Sequence, residues 1–312
     1  PHFLNSSETY DPLSGTWSLA GNMVTARSQH SATVLLDGRI LVTGGLNGLG
    51  ATGSAELFDP STHTWTATGS MAQARYNHTA TRLNDGRVLV VGGCKTGLSC
   101  LVSVEIYNPA TGEWDPENSL PSGARKDHTA VLLLDGSVLV AGGRNTGGVD
   151  PTYYNSTYRY HPTTNQWSAA GSMREYRYKH TAVLQRDGKV MAVGGRSVPP
   201  FGDASYPNTT EVYNPATNMW SKLQSAQAED IKIDYGRIDA LGVLDAFGSF
   251  LLFGGYDGTT ASSVQYRSTH QDTDIWHPHG ILNRARYGAA AVQLPNGSIL
   301  LAGGQDDSGA IA

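Results

Sequence analysis

This chain of 312 residues has no large excess of one charge sign, no long apolar segment and only two cysteines. It carries 22 basic and 27 acidic residues, a formal net charge of -5, and no basic stripe that could neutralise nucleic-acid phosphates. No apolar run reaches the roughly 18 residues that a membrane-spanning helix requires. The opening segment "PHFLNSSETYDP" lacks the charged-then-apolar order of an export signal. We therefore expect neither nucleic acid as a partner nor insertion into a membrane.

Short catalytic motifs and helical periodicity are missing as well. The chain has no Gly-x-Ser-x-Gly, no zinc-binding helix motif and no phosphate-binding loop. Apolar residues alternate over short runs instead of recurring at helical spacing. Glycine is abundant, with 37 residues, many of which recur at regular places. This composition favours an all-β chain with many tight turns.

Pairs of glycine mark an internal repeat of about 50 residues, a period typical of blade-like repeats. Another glycine stands six residues before each pair; in four units it follows Asp, and in one unit it follows Asn. Apolar runs such as "ATVLL" and "RILVTGG" flank it, which predicts a two-residue hairpin with positive φ. Each unit therefore begins with a tight antiparallel strand pair. The glycine pairs lie at 44–45, 92–93, 142–143, 194–195, 254–255 and 303–304.

A variable loop follows each glycine pair, and several units then continue with an alternating segment that ends in aromatic-x-Pro, as in "SVEIYNP". A turn after the proline leads to a tryptophan, which predicts a third and a fourth strand. Four antiparallel strands per unit without a helix are typical of a β-propeller blade. The six tryptophans occupy one equivalent place in each unit and are Trp17, Trp65, Trp114, Trp167, Trp220 and Trp276.

The sequence starts and stops inside one repeat. Residues 286–312 supply the first two strands of the last unit, and residues 1–17 supply the missing third and fourth strands. We therefore predict a single domain, 1–312, in which both terminal segments share the sixth blade. Such closure would cover strand edges that otherwise invite aggregation.

The glycine pair after a hairpin, the Tyr-x-Pro step and the following tryptophan resemble the kelch repeat in all six units. The segment "DGRVLVVGG" is similar to the corresponding segments in the propellers of galactose oxidase relatives and of bacterial exported kelch proteins. The resemblance implies a six-bladed kelch β-propeller with four antiparallel strands per blade. It leaves the function open, because propellers serve as enzymes, lectins and scaffolds.

Copper-radical oxidases with such propellers use a tyrosine directly before a channel-face histidine and a second tyrosine linked to cysteine. The Tyr-His pair is missing here. The only two cysteines, Cys94 and Cys100, lie in one loop and are interpreted as a small disulfide. We expect no oxidase activity and no cofactor. The residues before the four candidate histidines are Gln29, Asn77, Asp127 and Lys179.

An arginine stands seventeen residues before every glycine pair, and a histidine follows it three residues later in four units. Small residues come next, so we predict that this segment is the innermost strand. The arginine is interpreted as architectural, bonding a neighbouring blade through its fork of donors, with an anion-binding ring as the alternative. The arginines are Arg27, Arg75, Arg125, Arg177, Arg237 and Arg286.

The four histidines, His30, His78, His128 and His180, have two interpretations. They either donate to the backbone of the adjacent blade or form a polar crescent at the channel mouth that contacts a ligand. A divalent metal bound by His78 and His128 is the less favoured form of the second interpretation. We expect no permanent metal.

The long loops after the third and fourth glycine pairs, and an insertion between Trp220 and Arg237, are predicted on the same face. The two loops carry Arg144, Asp150, Tyr153, Tyr154, Arg196, Asp203 and Tyr206. Binding residues concentrate on such loops, although insertions without a function are the alternative. Arginine, tyrosine and carboxylates together suit a glycan or a peptide. We expect a binding or interaction domain, and the alternative is a carbohydrate-active, lyase-like enzyme with His and Tyr as acid and base. The candidate ligand-binding residues are the four histidines with Arg144, Tyr154, Arg196, Asp230, Lys232, Asp234, Tyr235 and Tyr256.

Five Asn-x-Ser/Thr triplets are potential N-glycosylation acceptors. Together with the expected disulfide and the exported relatives, they favour an extracellular or secreted glycoprotein. We also expect this propeller to be part of a larger multidomain protein. The triplets begin at Asn5, Asn77, Asn155, Asn208 and Asn296.

Overall fold

The computed structural model describes residues 3–97, 100–148, 150–223, 233, 235–262, 264–268 and 276–311. All regular elements in these ranges are β-strands, so the all-β prediction is confirmed. Within the same ranges, no helix is long and apolar enough to cross a membrane. The chain divides into two compact units: unit 1 comprises Pro1–Val138, Arg144–Thr152 and Tyr160–Ser168, and unit 2 comprises Leu139–Gly143, Tyr153–Arg159 and Ala169–Ala312.

The first strands form a ribbon and two sheets. Strands β1 (Leu4–Asp11) and β2 (Thr16–Arg27) make an antiparallel ribbon. The first four-stranded sheet holds β3 (Ser31–Val34) and β4 (Ile40–Thr43), then, after the small hairpin of β5 (Leu46–Asn47) and β6 (Gly50–Ala51), β7 (Ala55–Asp59) and β8 (Thr64–Thr68). The second holds β9 (Thr79–Arg82), β10 (Val88–Val91), β11 (Val104–Asn108) and β12 (Glu113–Glu117).

Three further four-stranded sheets follow in the same manner. The third holds β13 (Thr129–Leu132) and β14 (Val138–Ala141), then, after the short pair β15 (Arg144–Asn145) and β16 (Thr152–Tyr153), β17 (Thr157–His161) and β18 (Gln166–Ala170). The fourth holds β19 (Thr181–Leu184), β20 (Val190–Val193), β21 (Thr210–Asn214) and β22 (Met219–Lys222). The fifth holds β23 (Leu241–Leu244), β24 (Phe250–Phe253), β25 (Val264–Ser268) and β26 (Trp276–Ile281).

The C-terminal strands pair two by two. Strand β27 (Ala290–Gln293) pairs with β28 (Ile299–Ala302), and β29 (Gln305–Asp306) pairs with β30 (Gly309–Ala310). Among the described residues, β1–β2 and β27–β28 are two separate two-stranded sheets. Five repeats thus make one antiparallel sheet each, whereas the sixth blade shared by both termini stays a prediction.

The Asp-Gly step turns the chain between the first two strands of a sheet. Gly38 has a φ of 86°, a conformation that glycine adopts without steric cost. The Asp37 carboxylate accepts the backbone N–H of Arg39 at 3.0 Å and fixes the turn. Val34 lies opposite Ile40, the Leu35 N–H donates to the Arg39 carbonyl at 2.8 Å, and the Gly38 N–H donates to the Leu35 carbonyl at 3.2 Å. The loop therefore has three residues, Leu36 to Gly38, and the predicted two-residue hairpin is wrong in its length, because only the glycine adopts a positive φ here.

The second strands of the sheets are buried on both faces, as in β10 and β20, where all four side chains are inaccessible. Within unit 1, Leu41 and Leu57 of the first sheet pack with Val88 and Tyr107 of the second sheet. Within unit 2, Val193 of the fourth sheet packs with Phe250 of the fifth sheet. These consecutive sheets within each unit therefore bury apolar side chains against each other.

The arginine that every repeat carries joins consecutive glycine pairs. The Arg75 side chain is fully buried; its Nη1 donates to the Gly92 carbonyl of its own repeat at 2.8 Å, and its guanidinium pairs with Glu105. The Arg75 carbonyl accepts the N–H of Gly45 in the preceding repeat at 2.8 Å. The Arg75 side chain is thus architectural, but the predicted contact of its fork with a neighbouring blade is wrong, because the guanidinium bonds its own repeat and only the backbone carbonyl reaches the preceding one. The bond from Nη1 to the carbonyl of the first glycine in the same repeat is also made by Arg27, Arg177, Arg237 and Arg286.

Candidate functional site

The residue after each glycine pair lies beside the residue that follows the shared arginine. The start of the inner strand and the loops after the glycine pairs thus lie at the same end of each sheet, as the sequence predicts. We call this end the post-glycine surface of each unit. The backbone bridges that define it are Tyr76–Cys94 and Lys126–Arg144 in unit 1, and Tyr178–Arg196, Ile238–Tyr256 and Tyr287–Gln305 in unit 2.

One residue further along the inner segment, the backbone is left-handed in every repeat. In unit 1 the Asn77 N–H donates to the Gln29 carbonyl at 3.1 Å. In unit 2 the Asp239 N–H donates to the Lys179 carbonyl at 3.1 Å. A left-handed backbone costs a residue with a side chain on the order of 1 kcal/mol, so these bonds between neighbouring sheets hold it in place. The residues are Gln29, Asn77, Asp127, Lys179, Asp239 and Gly288.

Two of the candidate histidines bond the sheet that precedes their own. The Nε2 of His78 lies 3.0 Å from Thr43 Oγ1, and the Nε2 of His128 lies 2.9 Å from Thr79 Oγ1. Both imidazoles are 6% exposed. The partner is a side-chain hydroxyl instead of a backbone carbonyl, but the contact reaches the adjacent repeat as the structural interpretation requires.

Burial also fixes the protonation of two histidines. Desolvation, with a smaller effect of the Arg75 charge, lowers the pKa of His78 to about 3. His180 is 7% exposed, and desolvation followed by the Arg177 charge lowers its pKa to about 3 as well. Both imidazoles are therefore neutral near pH 7.

The charged groups on the post-glycine surface of unit 1 have partners within the protein. The Nε of Arg144 donates to Asp127 at 2.7 Å. The ammonium of Lys126 lies 5.2 Å from the centroid of the Tyr76 ring, within cation–π range, and Lys126 is only 7% exposed. Arg144, a predicted ligand residue, thus already holds a carboxylate of this chain.

Unit 2 carries three tyrosines around Arg196. The Arg196 guanidinium carbon lies 5.7 Å from the centroid of the Tyr206 ring. Its Nη1 donates to the Tyr178 hydroxyl at 3.4 Å, and the Tyr178 ring centroid lies 5.4 Å from that of Tyr153. Tyr178 is buried and the other three are half-buried. We call Tyr153, Tyr178, Arg196 and Tyr206 the tyrosine–arginine cluster.

Further tyrosines extend this aromatic surface. The Tyr206 ring covers Gly258, where an added Cβ would lie 2.6 Å from a ring carbon. The Tyr256 hydroxyl donates to the Gly258 carbonyl at 3.0 Å, and the Tyr256 ring lies 5.3 Å from that of Tyr287, between centroids. Aromatic faces therefore continue from the cluster to Tyr256, which the sequence predicts as a ligand residue.

The remaining predicted residues are dispersed or lie outside the described ranges. Tyr154 is half-buried, and its backbone N–H donates to Gly143 at 2.9 Å. Tyr235 is 68% exposed and His30 is also exposed. The described residues do not include Asp230, Lys232 and Asp234.

The two cysteines are bonded to each other. A disulfide joins Cys94 to Cys100 in the loop after the second glycine pair, as the sequence predicts. Within the described ranges, no three His, Cys, Asp or Glu side chains are grouped so that they could hold a metal ion together.

The sequence places Arg196, Tyr153 and Tyr206 on the long loops of one face but does not include Tyr178. A signal was present, because Tyr178 directly follows the shared arginine. That position faces the residue after the glycine pair across the backbone bridge. Pairing these two positions in each repeat would have joined Tyr178 to Arg196.

The chain was compared with known families and structures. Residues 26–72 match the Kelch motif, and residues 57–265 match the family model of the attractin/LZTR1 β-propeller. The solved structure of YjhT is 18% identical, with a TM-score of 0.68 over 91% of this chain and 92% of that chain, which shows a common fold. No curated protein sequence matches. Since the second family model covers well over half of its residues, the chain belongs to the attractin/LZTR1 β-propeller family.

Proposed function

We propose that this chain is a binding domain that takes up a glycan or a peptide on the post-glycine surface of unit 2. The tyrosine–arginine cluster is the observation that supports this proposal. Tyrosine offers a flat apolar face with a polar edge, and the arginine fork offers directed donors, which suits both ligand classes. Kelch-type propellers generally mediate interactions with proteins or other ligands, and this chain shares their repeat.

The cluster is better placed to contact a ligand than Arg144, His78 and His128. Arg144 is paired with Asp127, and the imidazoles of His78 and His128 are buried against threonine hydroxyls. A general acid or base must reach the proton that it transfers, so the burial of these histidines gives the enzyme alternative no support.

An extracellular location belongs to the same proposal. The Cys94–Cys100 disulfide supports it, because disulfides persist in oxidising compartments. Among the glycosylation triplets, Asn296 is exposed at the tip of the β27–β28 hairpin, whereas the amide nitrogen of Asn155 donates to the Met173 carbonyl at 3.0 Å. Asn296 is therefore the proposed acceptor.

A glycan array and a peptide array probed with matched variants test the proposal. We expect Tyr206→Ala to weaken binding of the wild-type ligands by at least about tenfold, the loss of a stacked aromatic contact. Lys189→Gln is the control, because Lys189 lies at the hairpin end of β20 and pairs with Asp187. The proposed site would be refuted if wild type and Tyr206→Ala bound the same ligands equally, or if wild type bound to neither array.

A further inference from the structure

We infer that the loop of residues 196–206 binds a peptide segment in which a carboxylate lies close to an apolar side chain. This inference rests on the proposed function and selects the peptide over the glycan. Arg196 takes the carboxylate, and Phe201 contacts the apolar side chain. Both residues belong to the loop that follows the fourth glycine pair.

Arg196 has a donor without an acceptor. Its Nε is buried and has no hydrogen-bond partner among the described residues. Leaving such a group unsatisfied is unfavourable. Over the same ranges Arg196 has no carboxylate partner, whereas the neighbouring Lys179 pairs with Asp239. The half-buried guanidinium therefore has no carboxylate beside it among the described residues, and a ligand carboxylate would supply one, although the enclosed Nε itself is not reached from solvent.

A carboxylate fits this guanidinium better than a phosphate does. Phosphate groups are recognised by clusters of arginines, because their charge approaches −2 near pH 7. Among the described residues, the Arg196 guanidinium contacts the side chains of Tyr178 and Tyr206, which add no second cation. One planar carboxylate matches one planar fork.

Phe201 is the apolar anchor. Its side chain is 98% exposed at the tip of a loop that the backbone pair Ser197–Ser205 closes with two hydrogen bonds of 2.9 Å. Pro199 and Pro200 precede it and restrict the loop, so little conformational entropy is lost on binding. Aromatic side chains that a partner buries on binding carry much of the binding energy of protein interfaces.

The two contacts lie within reach of one short peptide. Arg196 and Phe201 are five residues apart in sequence, so their Cα atoms are separated by at most about 18 Å. An extended peptide of about six residues spans that distance. A projecting phenyl ring gains more from an apolar side chain than from sugar hydroxyls, which is why we choose the peptide.

A random peptide library, with members about twelve residues long, provides the probes. We expect selection on the wild-type protein to enrich peptides with Asp or Glu near Leu, Ile or Phe. Two enriched peptides are then resynthesised with the carboxylate replaced by the amide. We expect the amide peptides to bind wild type at least about tenfold more weakly, since a charge-assisted bidentate contact is lost.

Variants assign the contact to Arg196. Arg196→Gln should weaken the binding of the acidic peptides by about the same factor and leave the binding of the amide peptides unchanged. Lys189→Gln should change the binding of neither. Arg196→Lys, which keeps the charge but not the fork, should fall between wild type and Arg196→Gln. Phe201→Ser should weaken the binding of both the acidic and the amide peptides. Because the Phe201 side chain is almost fully exposed, this variant should fold normally and still tests the inference if Arg196→Gln is unstable.

The outcomes separate this inference from the proposed function. Enrichment of neutral peptides, equal binding of acid and amide peptides, or no enrichment overturns the inference. A neutral glycan whose binding is lost in Tyr206→Ala would overturn the inference and leave the proposed function standing. The absence of any ligand from the library and from both arrays would overturn the two together.

Discussion

At the scale of single residues, the shared arginine acts through both its side chain and its backbone. In the second repeat its carboxylate partner, Glu105, also accepts the backbone N–H groups of Ala72 and Gln73. Removing one member of such a buried pair leaves an uncompensated charge and costs about 3–5 kcal/mol. Glu56 and Glu211 occupy the same place in the first and fourth repeats, whereas Tyr158 stands there in the third. The arginine is common to all repeats because its bonds to glycine carbonyls do not depend on that carboxylate.

Acid should destabilise the fold through the buried histidines. The pKa of His78 is about 3 in the folded protein and about 6.5 when it is unfolded, so the unfolded state binds more protons between these values. Stability is therefore fully present above pH 6.5 and falls as the pH decreases through that window. At pH 4.5 we expect His78 to lower the free energy of unfolding by about 2–3 kcal/mol.

Urea unfolding at pH 7.5 and at pH 4.5 checks this expectation. His78→Gln should lose less stability between the two pH values than wild type, because glutamine takes up no proton. The exposed His279, replaced by glutamine, is the control and should behave like wild type. An identical acid-induced loss in wild type and His78→Gln would show that His78 does not contribute.

At the scale of elements, the glycine pair leaves no room for a side chain. Gly45 has a φ of 100°, and an added Cβ would lie 2.5 Å from the Ser28 carbonyl oxygen. Gly45→Ala should lower the free energy of unfolding by about 1–3 kcal/mol, because both the backbone and the contact are strained. Thermal unfolding followed by tryptophan fluorescence measures the change.

Gly48, three residues further on, provides the matched control. It has no positive φ, and an added Cβ would meet nothing within 4 Å. Gly48→Ala should therefore leave stability within about 0.5 kcal/mol of wild type. If both alanine variants unfold at the same temperature, the strain assigned to the glycine pair is wrong.

Hairpins and sheets could be predicted from the sequence, because their signals are local. The Asp37–Gly38 step ends a three-residue loop, and a glycine stands at this place in each unit. The tyrosine–arginine cluster could not be predicted in the same way. It joins Tyr153 and Tyr206, more than fifty residues apart in sequence, through packing against Tyr178 and Arg196. Such contacts depend on the stacking of neighbouring sheets, which no short pattern encodes.

At the scale of the whole molecule, the N-terminal ribbon is attached to the first sheet but leaves apolar side chains uncovered. The indole N–H of Trp65 donates to Ser7 Oγ on β1 at 2.9 Å. On β2, Leu19 is 76% exposed and Val24 is 71% exposed. A two-stranded ribbon is marginally stable by itself, so these side chains favour a further sheet partner.

Closure of the propeller by the terminal segments gives the last prediction. The last repeat contributes β27 and β28 but no third or fourth strand, and β1 and the start of β2 carry the sequence of the missing strands, including Trp17. Deleting residues 1–17 should leave open strand edges and cause aggregation, because unpaired edges template pairing with other chains. Size-exclusion chromatography and thermal unfolding measure the effect, and Trp17→Ser, which keeps the backbone, should stay monomeric with a reduced melting temperature. A deletion variant that melts and elutes like the wild-type monomer would contradict closure through these strands.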